Sequence, residues 1–176
     1  VLTISGGITG AQNLVLQNNS TNAAGLTISG TSLNNTGTLT NSGAGTGGTL
    51  ISAVIGANVT SVTQNSATSA LTLSGVNTYS GTTTVTSGTL IGTSADRSFG
   101  TNLSGISIGG SGTLSLRNDS TVSFTNGTSA YNIANSASGA TINVDRVSGT
   151  GSNTITVGNL TTSSNAVTWQ LNFSGA

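Results

Sequence analysis

Along this chain of 176 residues, apolar and polar positions alternate in short bursts. Leu2-Thr-Ile4, Leu14-Val-Leu16, Leu26-Thr-Ile28, Thr38-Leu-Thr40 and Leu71-Thr-Leu73 are examples in the first half. Ile106-Ser-Ile108, Leu114-Ser-Leu116, Ile142-Asn-Val144 and Val167–Phe173 are examples in the second. A period of two places Leu, Ile and Val on one face of a strand and Thr, Ser and Asn on the other. Each burst ends in Gly, Asn or Ser, residues that turn a chain at little cost. No stretch shows a helical period or the Ala/Leu/Glu/Lys content of a good helix former. The pattern predicts an all-β chain of very short strands.

Spacing sharpens the prediction. Leu2, Leu14, Leu26, Leu39 and Leu50 recur at nearly even intervals, which fits either a β-sandwich or a β-solenoid. The turns carry almost no Asn-Gly or Asp-Gly hairpin signal, Asn126-Gly127 being the exception, so antiparallel pairing is weakly encoded. A parallel β-solenoid is therefore the favoured architecture, with an antiparallel β-sandwich as the alternative. Two or three strands per coil imply about five to nine coils stacked about 4.8 Å apart. The whole chain, 1–176, reads as one β-repeat domain, a segment or unit of a longer repetitive protein or filament.

Composition narrows the function. Charged residues make up 3% of the chain, against about 25% in ordinary globular proteins. The six charges are Asp96, Arg97, Arg117, Asp119, Asp145 and Arg146, each within two residues of an opposite charge. Nucleic-acid capture needs clustered Lys and Arg, which are absent. Abundant Thr, Val and Ile favour strands over disorder. Ser, Thr, Asn and Gly make up more than half the sequence, so hydroxyls and amides replace charge as the water-facing polarity. No apolar run approaches the roughly 20 residues of a spanning helix.

One stretch is more regular than the rest. In Leu71–Leu90, a strand ends in Leu73-Ser74-Gly75 and leads into Asn77-Thr78-Tyr79. Gly81 through Val85 follow, and Gly88-Thr89-Leu90 closes the stretch. This stretch resembles the autotransporter-associated β-strand repeat, also called the passenger-associated transport repeat, of large bacterial surface proteins. Thr82 stands where that family often has a second Gly. The resemblance implies a right-handed parallel β-helix displayed outside the cell. It also implies that Leu73, Gly75, Asn77, Tyr79, Gly81, Gly88 and Leu90 are architectural. The C-terminal barrel that usually accompanies such passengers is not in this sequence.

Chemistry has little to work with. The chain has no His or Cys, so the usual nucleophile–base pairs cannot form. Asp96, Asp119 and Asp145 each sit beside an Arg and read as turn-capping or ion-paired groups, so no enzyme activity, cofactor or metal is expected. Three scattered Asp do not make a hard-cation cage. Tyr79 is expected to pack over its turn with its hydroxyl in water. Val167, Trp169, Leu171 and Phe173 share one strand face, so Trp169 and Phe173 are the candidates for contact with a neighbouring unit or a ligand. Inward Asn or Thr could stack as side-chain ladders.

Ice binding through Thr-x-Thr pairs needs such a pair in register on nearly every coil. Thr38/Thr40, Thr82/Thr84/Thr86 and Thr154/Thr156 are sparse matches, and ice binding stands as a remote alternative beside a polysaccharide-cleaving enzyme. The leading expectation is a structural or adhesive extracellular solenoid whose partner is itself, through end-to-end stacking into a fibre. A carbohydrate- or surface-binding module of an adhesin is the alternative.

Overall fold

In a computed structural model of the chain, which describes residues 1–162 and 170–174, seven coils stack into a parallel β-solenoid. β1 (Leu2–Ile4) and β2 (Leu14–Leu16) form the first coil. β3 (Ala24–Ile28), β4 (Ser32–Leu33) and β5 (Gly37–Asn41) form the second; β6 (Gly48–Ile51), β7 (Val54–Ile55) and β8 (Val59–Asn65) form the third. The fourth holds β9 (Leu71–Leu73) and β10 (Thr82–Ser87), and the fifth β11 (Thr89–Gly92) and β12 (Ile106–Ile108). β13 (Thr113–Arg117), β14 (Val122–Ser123) and β15 (Ile133–Asn135) make the sixth. β16 (Thr141–Asp145), β17 (Ile155–Thr156) and β18 (Leu160–Thr162) make the seventh, and β19 (Gln170–Ser174) opens the next.

Two long sheets run the length of the stack. One has the order β1-β3-β6-β9-β11-β13-β16-β19, and the other β18-β15-β12-β10-β8-β5-β2. Every strand pairing is parallel, which excludes the sandwich. Among the described residues there is no helix, and hence none that could cross a membrane. The even Leu spacing now has a cause. Leu2 and Leu26 are register partners in one sheet, Leu14 and Leu39 in the other, so the interval is half a coil. Leu50 breaks the series. An irregularity between Ala24 and Leu26 pairs Leu26 with Thr49 and Thr27 with Leu50. Thr49 and Ile51 therefore point inward, and Leu50 is only half-buried.

The interior is built from ladders one side chain per coil. Leu26, Thr49, Leu71, Leu90, Leu114 and Ile142 follow one another in register and are all buried. Burying one such aliphatic side chain contributes roughly 1.5–3 kcal/mol. In the same sheet Gly92 lies between Leu73 and Leu116. Phe99 fills the space that its missing side chain leaves, since a Cβ there would lie 2.3 Å from Phe99 Cζ. Phe99 stacks on Phe124 (centroids 6.3 Å apart) and meets Tyr131 edge-on at 5.5 Å. These rings form an aromatic core through the fifth and sixth coils.

Polar side chains also point inward and are hydrogen-bonded there. Asn41 Nδ2 donates to Gln64 Oε1 on the next coil at 2.8 Å and to Ser69 O at 2.9 Å. Gln64 Nε2 donates to Ser66 O and Ser69 O, and Thr49 Oγ1 donates to Asn41 Oδ1 at 3.2 Å. The expected amide ladder exists here as a pair of rungs. Among the described residues, Asn35 Oδ1 is the single buried side-chain polar atom without a partner, as a well-packed interior requires.

Candidate functional site

Leu71–Leu90 is one complete turn of the solenoid. Leu71 in β9 is the register partner of Leu90 in β11, so the most regular stretch of sequence is also the shortest coil. Leu71, Leu73 and Leu90 are fully buried. A Cβ at Gly75 would lie 2.8 Å from Ala53 O, and one at Gly81 would lie 1.6 Å from Thr60 O, both backbone atoms of the preceding coil. At Gly88 a positive φ of 67° joins a Cβ position only 1.9 Å from Ser66 O. Glycine fits both demands there.

Asn77 takes the place of a strand. The second and third coils pair through the short β4 and β7, but the fourth coil has no strand at that corner. Asn77 Oδ1 accepts the Ile55 N–H of the coil before at 2.8 Å, and its Nδ2 donates to Ser98 O of the coil after at 2.6 Å. The backbone N–H of Asn77 also donates to Arg97 O. One buried amide thus satisfies groups on two neighbouring coils. Asn13, Asn34 and Asn132 do a similar job elsewhere, each accepting a backbone N–H from the following coil.

Tyr79 departs from expectation. Its ring is fully buried and its hydroxyl is not in water. The hydroxyl lies 2.7 Å from Thr83 Oγ1, which itself donates to Phe99 O at 3.1 Å; Tyr79 is therefore the donor. Thr83 faces inward between Val62 and Ile106, against the simple rule that puts Thr outside. Burial raises the Tyr79 phenol far above its ordinary range. Tyr131 is raised in the same way, mainly by burial. It accepts the Phe99 N–H and donates to Gly100 O.

The three carboxylates lie on three successive coils, Asp96 and Asp119 in the segments that follow β11 and β13 and Asp145 at the last position of β16. Asp96 pairs with Arg97 at 3.0 Å and accepts from Thr125 Oγ1. Arg97 has a φ of 54°, unusual for a residue with a side chain. Asp119 accepts Val147 N–H, Ser148 N–H and Ser148 Oγ–H, and lies 3.7 Å from Arg146 Nε. The backbone hydrogen bond from Ser148 is the main reason its carboxyl is held below the usual range. Asp145 caps the Arg146 N–H and is the register partner of Arg117. These contacts tie loops to loops. No group of three or more His, Cys, Asp or Glu gathers among the described residues.

Trp169 lies outside the described residues. Phe173 pairs with Val144 in backbone register at the end of the stack, and Leu171, partner of Ile142, is half exposed. Of the Thr pairs, Thr154/Thr156 sits at the separate β14–β17 ladder. Thr38/Thr40 and Thr82/Thr84 lie on the same sheet, with Ser61 and Thr63 between them in register. The middle pair has Ser at its first position, so it does not show the Thr-x-Thr pattern. No protein-family model, no curated protein and no solved structure matches this chain.

Proposed function

We propose that this chain is a structural segment of an extracellular surface protein, a β-solenoid rod that supplies length and stiffness. The observation that carries the reading is the register. Seven coils share two unbroken parallel sheets, so the rod's long axis is a continuous run of backbone hydrogen bonds. Its nearly uncharged hydroxyl and amide coat and the likeness of Leu71–Leu90 to a surface-protein repeat support an external setting. With no Lys and three Arg, trypsin has few sites, which suits a protein exposed to proteases. Further coils would add at the terminal strand edges, which pair on one side only in the described structure.

An antibody against the chain, applied to intact source cells, tests this directly. Label on the outer surface along fibrous material is the expected result. Label that appears only after the cells are permeabilised would overturn it.

A further inference from the structure

We propose that the outward face carrying Thr38, Thr40, Ser61, Thr63, Thr82 and Thr84 binds the surface of an ice crystal. Thr38, Ser61 and Thr82 form one column of register partners, and Thr40, Thr63 and Thr84 form a second, so three consecutive coils each carry a pair, enough for a local patch though not for a face along the whole rod. Ser107 continues the second column onto the fifth coil. Between the columns, Leu39, Val62 and Thr83 point inward and are buried, which fixes the outward direction of the six hydroxyls. No register shift interrupts the three strands between these columns: the irregularities fall at Gly37/Thr38 and at Val85/Ser87, on either side. Parallel β-geometry sets the spacing at about 4.8 Å between coils and about 6.6 Å along each strand.

Three features select ice over other neutral partners. Among the described residues none of the six hydroxyls has a hydrogen-bond partner, so they face solvent with their capacity unused. The first 95 residues contain no charged residue, so no strongly hydrated group disturbs ordered water near this face. The face also has no aromatic ring of the kind that sugars stack on. A hydroxyl that exchanges water for a sugar hydroxyl gains little, because one hydrogen bond replaces another. An ice surface asks for no exchange. The hydroxyls keep water as their partner, and that water is already immobile, so the entropic cost of ordering it is not charged to binding. The Thr methyl groups add apolar contact at the same repeat.

The inference does not depend on the rod's location or structural role, so either can fail alone. Fluorescently labelled protein, with a growing ice hemisphere and single crystals observed near their melting point, provides the test. Incorporation into the ice and faceted crystal growth are expected. Thr63→Tyr should lose both while keeping the wild-type urea midpoint. Thr72→Tyr, on the outward side of the opposite sheet, should retain both. Exclusion of the wild-type protein from ice, or equal behaviour of the two variants, would overturn the proposal. Retention on insoluble neutral polysaccharide without ice incorporation would overturn it as well.

Discussion

The hydroxyl of Tyr79 donates to Thr83 Oγ1 at 2.7 Å inside the solenoid, four residues along the same coil. Both side chains are buried, at 0% and 1% exposure, so a residue with the look of a turn decoration is part of the core. Removing the phenol oxygen in Tyr79→Phe leaves Thr83 still bonded to Phe99 O. One net hydrogen bond is lost, and the expected destabilisation is about 1 kcal/mol by urea unfolding.

The chain has two tyrosines, and both phenols are pushed upward by burial. A raised phenol favours the folded state below the unfolded value and loses that contribution as pH rises through the folded value. Tyrosinate absorbance should therefore be missing near pH 10, where a free tyrosine is about half ionised. It should appear only together with loss of the β-sheet circular dichroism signal. Titration of either tyrosine with the fold intact would show that the ring is reached by water.

Asn77 joins three coils through a single amide. Asn77→Ala strands Ile55 N–H and Ser98 O in the interior. Two buried groups left without partners cost about 2–4 kcal/mol together. A urea midpoint within error of wild type would mean that other groups or water replace the amide.

At Gly88 a side chain meets both a positive φ and the Ser66 carbonyl. Gly88→Ala should destabilise by more than about 1 kcal/mol, since left-handed backbone alone costs roughly that for a residue with a Cβ. Gly6 has nothing within 4 Å of its Cβ position, and Gly6→Ala should leave the melting temperature unchanged. Equal effects would remove the steric reading of the repeat.

Asp119 anchors the 147–148 loop of the next coil through three accepted hydrogen bonds. Its carboxyl is held below the usual range, so its contribution is present above the unfolded value, near pH 4, and is lost as pH falls through the lower folded value. Amide exchange in the loop should rise under acid at Val147 and Ser148. In Asp119→Asn that acid-dependent step should vanish.

The fold class was legible because period two and turn residues repeat at every coil. The half-coil spacing of Leu2, Leu14, Leu26 and Leu39 even encodes the number of long sheets. Register was not legible. The irregularity before Leu26 turns Leu50 outward and Thr49 inward, and nothing local in Thr49-Leu50-Ile51 announces it. The inward settings of Thr83, Asn41 and Gln64 were hidden for a related reason: their partners lie on other coils or in the turn that follows the strand. The charged residues show the same limit. Neighbouring opposite charges suggested local pairs, whereas Asp119 binds the loop of the following coil.

Single-molecule stretching of the tethered chain tests the stacked rod most directly. Coils span from 19 residues, between Leu71 and Leu90, to 29, between Ile142 and Leu171. Each coil released should lengthen the tether by about 65–100 Å, at roughly 3.4 Å per residue. The account predicts rupture in steps that each release a whole number of coils. Smooth extension at low force, with no steps of that size, would contradict it.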